Sequence, residues 1–255
     1  MEILVARDGP ILRIGFNRPA RRNAITAQMY EQLTAAFREA EEDKAVRVVL
    51  VHGSDGVFTA GNDLEDFMQR PPTGEDTPVF RFLNVVSEAR KPIVAAVNGA
   101  AVGIGTTLLL HCDLVYAGDD ARFHLPFTSL GVVPEFASSY LLPLAAGYQR
   151  AAELLLLAEP FDARRAYECG IVTRVVPAAQ ALETALQNAQ RLASLPPKSV
   201  RLTKELMKAR HRGEVQAQLR TEGAYFRAML GEPAAREALA AFMQKRKPDF
   251  SGENL

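Results

Sequence analysis

The sequence predicts an α/β fold in which parallel strands alternate with helices ahead of a helical tail. Three observations carry this reading. Residues 46–52 and 92–97 are short, mostly apolar runs rich in β-branched residues, the pattern of strands buried on both faces. The stretches between such runs repeat apolar residues at three- and four-residue steps, the period of an amphipathic helix. From Ala178 onward almost everything keeps that helical period, with breaks at Pro196-Pro197 and Gly231-Glu232-Pro233.

In chain order, residues 2–7 and 11–16 read as two strands of a hairpin around Asp8-Gly9-Pro10. Thr26 opens a helix whose inner face carries Met29, Leu33, Ala36, Phe37 and Ala40. The strand at 46–52 ends at Gly53. Residues 70–78 are rich in turn formers and charge, and are expected to form a mobile loop leading into a helix over 79–89. After the strand at 92–97, Asn98-Gly99 turns the chain toward a helix over 104–111. Residues 114–116 resume strand, helices follow over 135–142 and 149–157, and residues 171–176 supply the last strand. Alternation of this kind implies parallel β-α units.

The chain has 255 residues, of which 48% are hydrophobic and 24% charged, values of a soluble globular chain that can bury a sizeable core. Its 30 basic side chains balance 30 acidic ones, which argues against a general nucleic-acid binder and against an acidic disordered chain. The first residues run straight into strand-like sequence, and no apolar run approaches the roughly 18 residues of a membrane span. A cytoplasmic protein without a membrane or nucleic-acid partner is therefore expected. Cys112 and Cys169 are too few for a disulfide scaffold and match no zinc-ligand spacing, so both read as reduced thiols and no metal is expected.

Two glycine-bearing turns follow strands: Phe58-Thr59-Ala60-Gly61-Asn62-Asp63-Leu64 and Asn98-Gly99-Ala100-Ala101-Val102-Gly103-Ile104-Gly105. Glycine lets backbone approach a ligand closely, and the first N–H groups of a helix suit a phosphate or a developing oxyanion. Either segment alone reads as an ordinary turn. The second is no dinucleotide fingerprint, because Leu108 stands where the third glycine is needed. No Gly-x-Ser-x-Gly elbow is present. The trio His111-Cys112-Asp113 reads as core or helix end, since adjacent helical residues point apart.

Together these segments resemble the enoyl-CoA hydratase/isomerase (crotonase) superfamily. So do Asn17-Arg18-Pro19 through Asn23-Ala24-Ile25, Cys112-Asp113-Leu114-Val115-Tyr116-Ala117, Cys169-Gly170-Ile171-Val172 and the terminal Lys245-Arg246-Lys247-Pro248-Asp249-Phe250. The resemblance runs in order along nearly the whole chain. It implies a core of stacked β-β-α turns over residues 1–195 and a helical trimerisation region over 196–255, assembled as a homotrimer or a dimer of trimers. It also implies an acyl-CoA thioester substrate and no cofactor beyond the coenzyme A that the substrate carries.

The same resemblance implies site residues. The backbone N–H groups of Asn62 and Ile104 form the oxyanion hole. Arg22, Ala24, Ala60, Asp63, Leu64 and Gly103 line the path of the thioester, and Phe250 meets the adenine of a neighbouring subunit. The phosphates need cations: Arg18, Arg21 and Arg22 form one basic cluster and Lys245, Arg246 and Lys247 another, and either reads equally as a solvated face. The acyl pocket borrows from residues 64–82, including Phe67 and Met68. The two hydratase glutamates are replaced by Thr107 and Phe127, expected to line the substrate site; the replacement speaks against hydration because neither side chain delivers a proton as a carboxylate would. Pro134-Glu135-Phe136-Ala137-Ser138-Ser139 resembles instead the 3-enoyl-CoA to 2-enoyl-CoA isomerase branch, whose base is the glutamate after proline. Taken alone, Glu135 reads as a first-turn glutamate facing its own helix dipole; within the motif it is the expected base. The alternatives are hydration or another activity of this fold, and a catalytically reduced acyl-CoA-binding protein.

Overall fold

A computed structural model describes residues 1–70, 74 and 76–252. Its strands are β1 (Ile3–Asp8), β2 (Ile11–Phe16), β3 (Val48–His52), β4 (Ile93–Val97), β5 (Ala100–Val102), β6 (Leu114–Gly118), β7 (Arg122–His124), β8 (Phe161–Asp162) and β9 (Arg174–Val176). The helices of the first half are α1 (Ala27–Glu42), α2 (Leu64–Gln69), α3 (Pro78–Ser87) and α4 (Ile104–Thr107). Then come α5 (Ser138–Ala146), α6 (Tyr148–Leu156), α7 (Ala163–Glu168), α8 (Ala181–Ser194), α9 (Pro197–Ala209), α10 (Arg212–Met229) and α11 (Pro233–Met243).

A large sheet runs β1-β2-β3-β4-β6-β9, parallel except for the β1–β2 hairpin, and a small one runs β5-β7-β8. β4 and β6 belong to the large sheet, while β5 and β7, which follow them, belong to the small one. Successive turns of chain thus add a strand to each sheet, the stacked β-β-α arrangement expected above. Alternate strand residues face opposite layers: Val49, Val51, Ile93, Ala95 and Val97 join the main core with α1 and α3, whereas Val48, Leu50, Val94 and Ala96 meet α8. α8 presents Ala185, Ala189 and Ala193 at helical spacing, small side chains that let its backbone lie close to the sheet. Thr26 caps α1, its hydroxyl accepting the Met29 N–H at 3.2 Å, and the five residues expected on its inner face are all buried.

Several boundaries differ from expectation. Residues 64–69, for which no helix was expected, form α2, opened by the Asp63 carboxylate accepting the Asp66 N–H at 3.1 Å. Of the loop expected at 70–78, residues 71–73 and 75 lie outside the described residues. The helix expected over 135–142 begins only at Ser138, because Phe136 (φ 62) and Ala137 (φ 55) are both left-handed. Glu135 is therefore not a first-turn residue, and the dipole reading falls. The helix expected over 104–111 changes to a 3₁₀ turn at Leu108–His111, and the last strand is only β9. β5, β7 and β8 were not anticipated. Cys112 and Cys169 are free thiols, Cys169 fully buried.

Candidate active site

The two glycine segments lie side by side. Thr59 N–H donates to the Ala100 carbonyl at 2.9 Å, and Val102 N–H to the Thr59 carbonyl at 3.0 Å. This approach requires glycine: a Cβ on Gly61 would stand 2.7 Å from the Val102 oxygen, and one on Gly105 2.6 Å from Thr59 Cγ2. Gly103, at φ 54 and ψ −116, turns the chain into α4 through a conformation open to glycine alone. The N–H groups of Asn62 and Ile104 emerge from these turns and, among the described residues, donate to no protein acceptor. Ile104 opens α4, where no preceding turn offers a carbonyl.

Both residues line one apolar cavity of about 610 Å³, together with Arg22, Ala24, Ala60, Asp63, Leu64, Gly103, Phe127 and Glu135. The rim at Arg22 and Ala24 is held by buried Asn23, whose amide donates to Val57 O at 2.8 Å and accepts the Arg18 N–H at 2.8 Å. The Ala60 N–H then donates to the Arg22 carbonyl at 3.0 Å. The basic clusters are less available than their residue types imply. Arg18 pairs with Asp63 at 2.6 Å and with Glu2 at 2.9 Å, Arg21 with Glu65 at 3.1 Å, and Arg246 with Glu237 at 2.5 Å. Among the described residues Arg22 has no carboxylate partner.

Inside the cavity, Glu135 is only 8% exposed. Burial, which disfavours its charged form, pushes its carboxyl up to about 8; a hydrogen bond from Thr107 pulls the other way, and the Glu222 carboxylate adds to the rise. The Thr107 hydroxyl donates to Glu135 Oε1 at 2.5 Å, and Thr107 is itself fully buried behind the cavity wall. Phe127 lines the wall as a hydrocarbon surface. The Tyr30 hydroxyl donates to Asn62 Oδ1 at 2.5 Å, and its own proton is held firmly by burial and then by the negative charge of Glu135. Beyond Glu135 a tight slot of about 20 Å³ runs between Phe67, Phe80, Phe136, Leu219 and Phe226. Phe67 and Phe226 meet edge to face at 6.2 Å. Two N–H groups without a protein acceptor and a buried carboxyl, Glu135, that no cation holds among the described residues, all on one apolar cavity, can stabilise an oxyanion and move a proton.

Met68 is half exposed and not part of the cavity wall, which corrects its expected place in the acyl pocket: on α2 the residue next to Phe67 points away. Phe250 is 43% exposed and lies away from this cavity in its own chain. His111 is a core residue, its Nε2 2.8 Å from the Phe136 carbonyl and its ring stacked on Phe136 at 3.9 Å. Asp113 accepts from the Ile93 N–H and Lys204 Nζ, each at 2.7 Å. His124 lines the cavity but is tied to the Ala158 carbonyl at 2.8 Å. Sequence reasoning missed Tyr30, Phe226 and Glu222, and missed that Leu239, Phe242 and Met243 of α11 line the cavity. One signal was present: Glu222 interrupts the apolar stripe Val215, Leu219, Phe226 and Met229 of α10.

Among the described residues no cluster of three or more His, Cys, Asp or Glu is gathered as a metal site, and no helix is long and apolar enough to cross a membrane. The profile of the enoyl-CoA hydratase/isomerase family matches residues 6–253. The chain is 38% identical over 252 residues to enoyl-CoA delta isomerase 2 of Rattus norvegicus, with 96% of this chain aligned but only 64% of that protein's length spanned. It is 34% identical to 2,3-dehydroadipyl-CoA hydratase of Escherichia coli, covering 98% of this chain and 99% of that one. The crystal structure of an enoyl-CoA hydratase/isomerase from Pseudoalteromonas atlantica superposes with a TM-score of 0.94 at 42% identity, covering 98% of this chain and 100% of that one. The chain is thus a member of the enoyl-CoA hydratase/isomerase family, an acyl-CoA enzyme of the crotonase fold whose relatives include both isomerases and hydratases.

Proposed function

We propose that the protein shifts the double bond of a 3-enoyl-CoA thioester into the conjugated 2-position. The observation that carries this reading is the bond from Thr107 to Glu135: the place of one hydratase glutamate holds a hydroxyl that serves the carboxylate contributed by the isomerase motif. The place of the other holds Phe127, and the other carboxylates that line the cavity among the described residues, Asp63 and Glu65, are paired with Arg18 and Arg21.

In this reading the Asn62 and Ile104 N–H groups hold the thioester oxygen and acidify carbon 2. The Glu135 carboxylate takes the proton there, and the electron pair delocalises into a dienolate whose charge rests on the oxygen in the hole. Protonated Glu135 then delivers the proton to carbon 4. One proton moves and the carboxylate is regenerated, so the scheme needs no metal or redox group. Burial serves both halves, since a carboxyl near 8 is a stronger base than an ordinary glutamate and still a competent acid. The apolar cavity wall of Phe67, Phe127, Val132 and Phe226 takes the acyl group, and Arg22 at the rim is free to meet a phosphate of coenzyme A.

The test supplies 3-enoyl-CoA and 2-enoyl-CoA separately. Conjugated thioester from the first, with no 3-hydroxyacyl product from the second, is expected. Hydration of the 2-enoyl ester without conjugation of the 3-enoyl ester would overturn the assignment, and tight binding with neither product would make the protein a binder.

A further inference from the structure

A second buried carboxylate stands behind the candidate base. Glu222 lies in the apolar stripe of α10 and is only 4% exposed. It accepts the Ala137 N–H at 2.6 Å, the Ser139 N–H at 3.0 Å and the Ser139 hydroxyl at 2.5 Å, while Gln218 donates to that hydroxyl at 2.8 Å. The N–H groups it holds belong to the turn that leads from Glu135 into α5. That turn is strained: Phe136 and Ala137 are consecutive non-glycine residues at positive φ, a conformation that persists only where surrounding contacts impose it. His111 fixes the Phe136 carbonyl from the opposite side.

We propose that Glu222 is a positioning residue for Glu135, clamping the left-handed turn that presents the Glu135 carboxyl to the cavity. The inference rests on Glu135 being the base. It gives the C-terminal helices a part in the chemistry: α10 supplies the clamp, so the site is incomplete without a residue some 85 positions further along the chain than Ala137. No Lys or Arg pairs with either carboxylate among the described residues. The groups facing the pair are Tyr30 from α1, Thr107 from α4, His111 from the 3₁₀ turn after α4, Ser139 from α5 and Gln218 on α10 itself. The charge on Glu222 therefore acts on Glu135 without a nearby cation to offset it and favours the protonated form of the base.

The test is Glu222→Gln, which keeps the shape but accepts at one oxygen only. The readouts are kcat, KM and the pH profile of double-bond shift in 3-enoyl-CoA. The expected result is an unchanged KM and a kcat lower by roughly ten- to a hundredfold, the scale of an ångström-sized misplacement of a reacting group. The acid limb of the profile should also move to lower pH, because the like charge is gone. A folded Glu222→Gln with wild-type kcat and an unmoved limb overturns the proposal. Should that variant not fold, Glu222→Asp decides: it keeps the charge on a side chain one methylene shorter, which cannot hold both N–H groups in the same place. It should lower kcat with KM unchanged, and a wild-type kcat overturns the proposal. Glu135→Gln separates the two claims. Turnover surviving in Glu135→Gln removes the base reading itself, whereas an inactive Glu135→Gln beside a wild-type-like Glu222→Gln removes only the clamp.

Discussion

Thr107→Val removes the hydroxyl that donates to Glu135 while keeping a β-branched side chain of similar volume in α4. The lost bond is short and made to a carboxylate in a buried site, so it stabilises the ionised form by about 1.5–3 kcal/mol. At 1.36 kcal/mol per pK unit this raises the carboxyl by about one to two units, from about 8 toward roughly 9 to 10. At neutral pH the ionised fraction then drops by about 10- to 100-fold, and kcat/KM for 3-enoyl-CoA drops with it. The assay is formation of conjugated thioester between pH 6 and 10. The acid limb should move upward by that one to two units, and most of the lost rate should return at the alkaline end. Thr107→Ser, which keeps the donor, should stay near wild type. A limb that does not move, or a loss equal at every pH, would refute the claim that Thr107 acts through the protonation of Glu135.

Other consequences are equally concrete. Gly103→Ala meets no atom within 4 Å of the new Cβ, so its effect is backbone strain at φ 54; by tilting the Ile104 N–H it should lower kcat about 10²- to 10³-fold, and a kcat near wild type would count against that donor. Phe226→Ala opens the slot behind Glu135, and each methylene that gains contact should favour longer acyl chains about fourfold in kcat/KM; an unchanged chain-length profile would place the tail elsewhere. Burial raises both carboxyls against the hydrogen bonds they accept, Glu135 to about 8, where the Glu222 charge adds to the rise, and Glu222 to about 7. The folded chain thus keeps protons that the unfolded chain releases, and stability falls as pH rises from the ordinary glutamate range through about 8. Glu135→Gln should lose less melting temperature between pH 5 and 9 than wild type, and identical losses would contradict the buried-carboxyl account.

Local signals made much of this molecule legible in its residues. The Thr26 cap and the stripe Met29, Leu33, Ala36, Phe37, Ala40 identify α1, and the apolar runs identify β3 and β4. What escaped is what is decided at a distance. β5 and β7 have three residues each, too few to show alternation, and exist because Ala100–Val102 pairs with Arg122–His124. Nothing local marks Phe136 and Ala137 as left-handed; Glu222 and His111 impose it from α10 and from the turn after α4. For the same reason Glu135 looked like a helix residue when it is the residue before a strained turn. The basic clusters also read as freer than they are, because Asp63, Glu2 and Glu65 reach Arg18 and Arg21 only in the fold. The two glycine turns were readable as a pair through the family resemblance, and their contact explains why glycine stands at 61 and 105.

The most direct measurement compares wild type with Glu135→Gln on 3-enoyl-CoA, following conjugated thioester and, separately, the affinity for the CoA ester. The account predicts that conversion falls by about 10²- to 10⁴-fold or more, while affinity stays close to wild type because the oxyanion donors and the CoA path are untouched. Conversion at the wild-type rate in Glu135→Gln, with the ester bound as tightly as before, would contradict it.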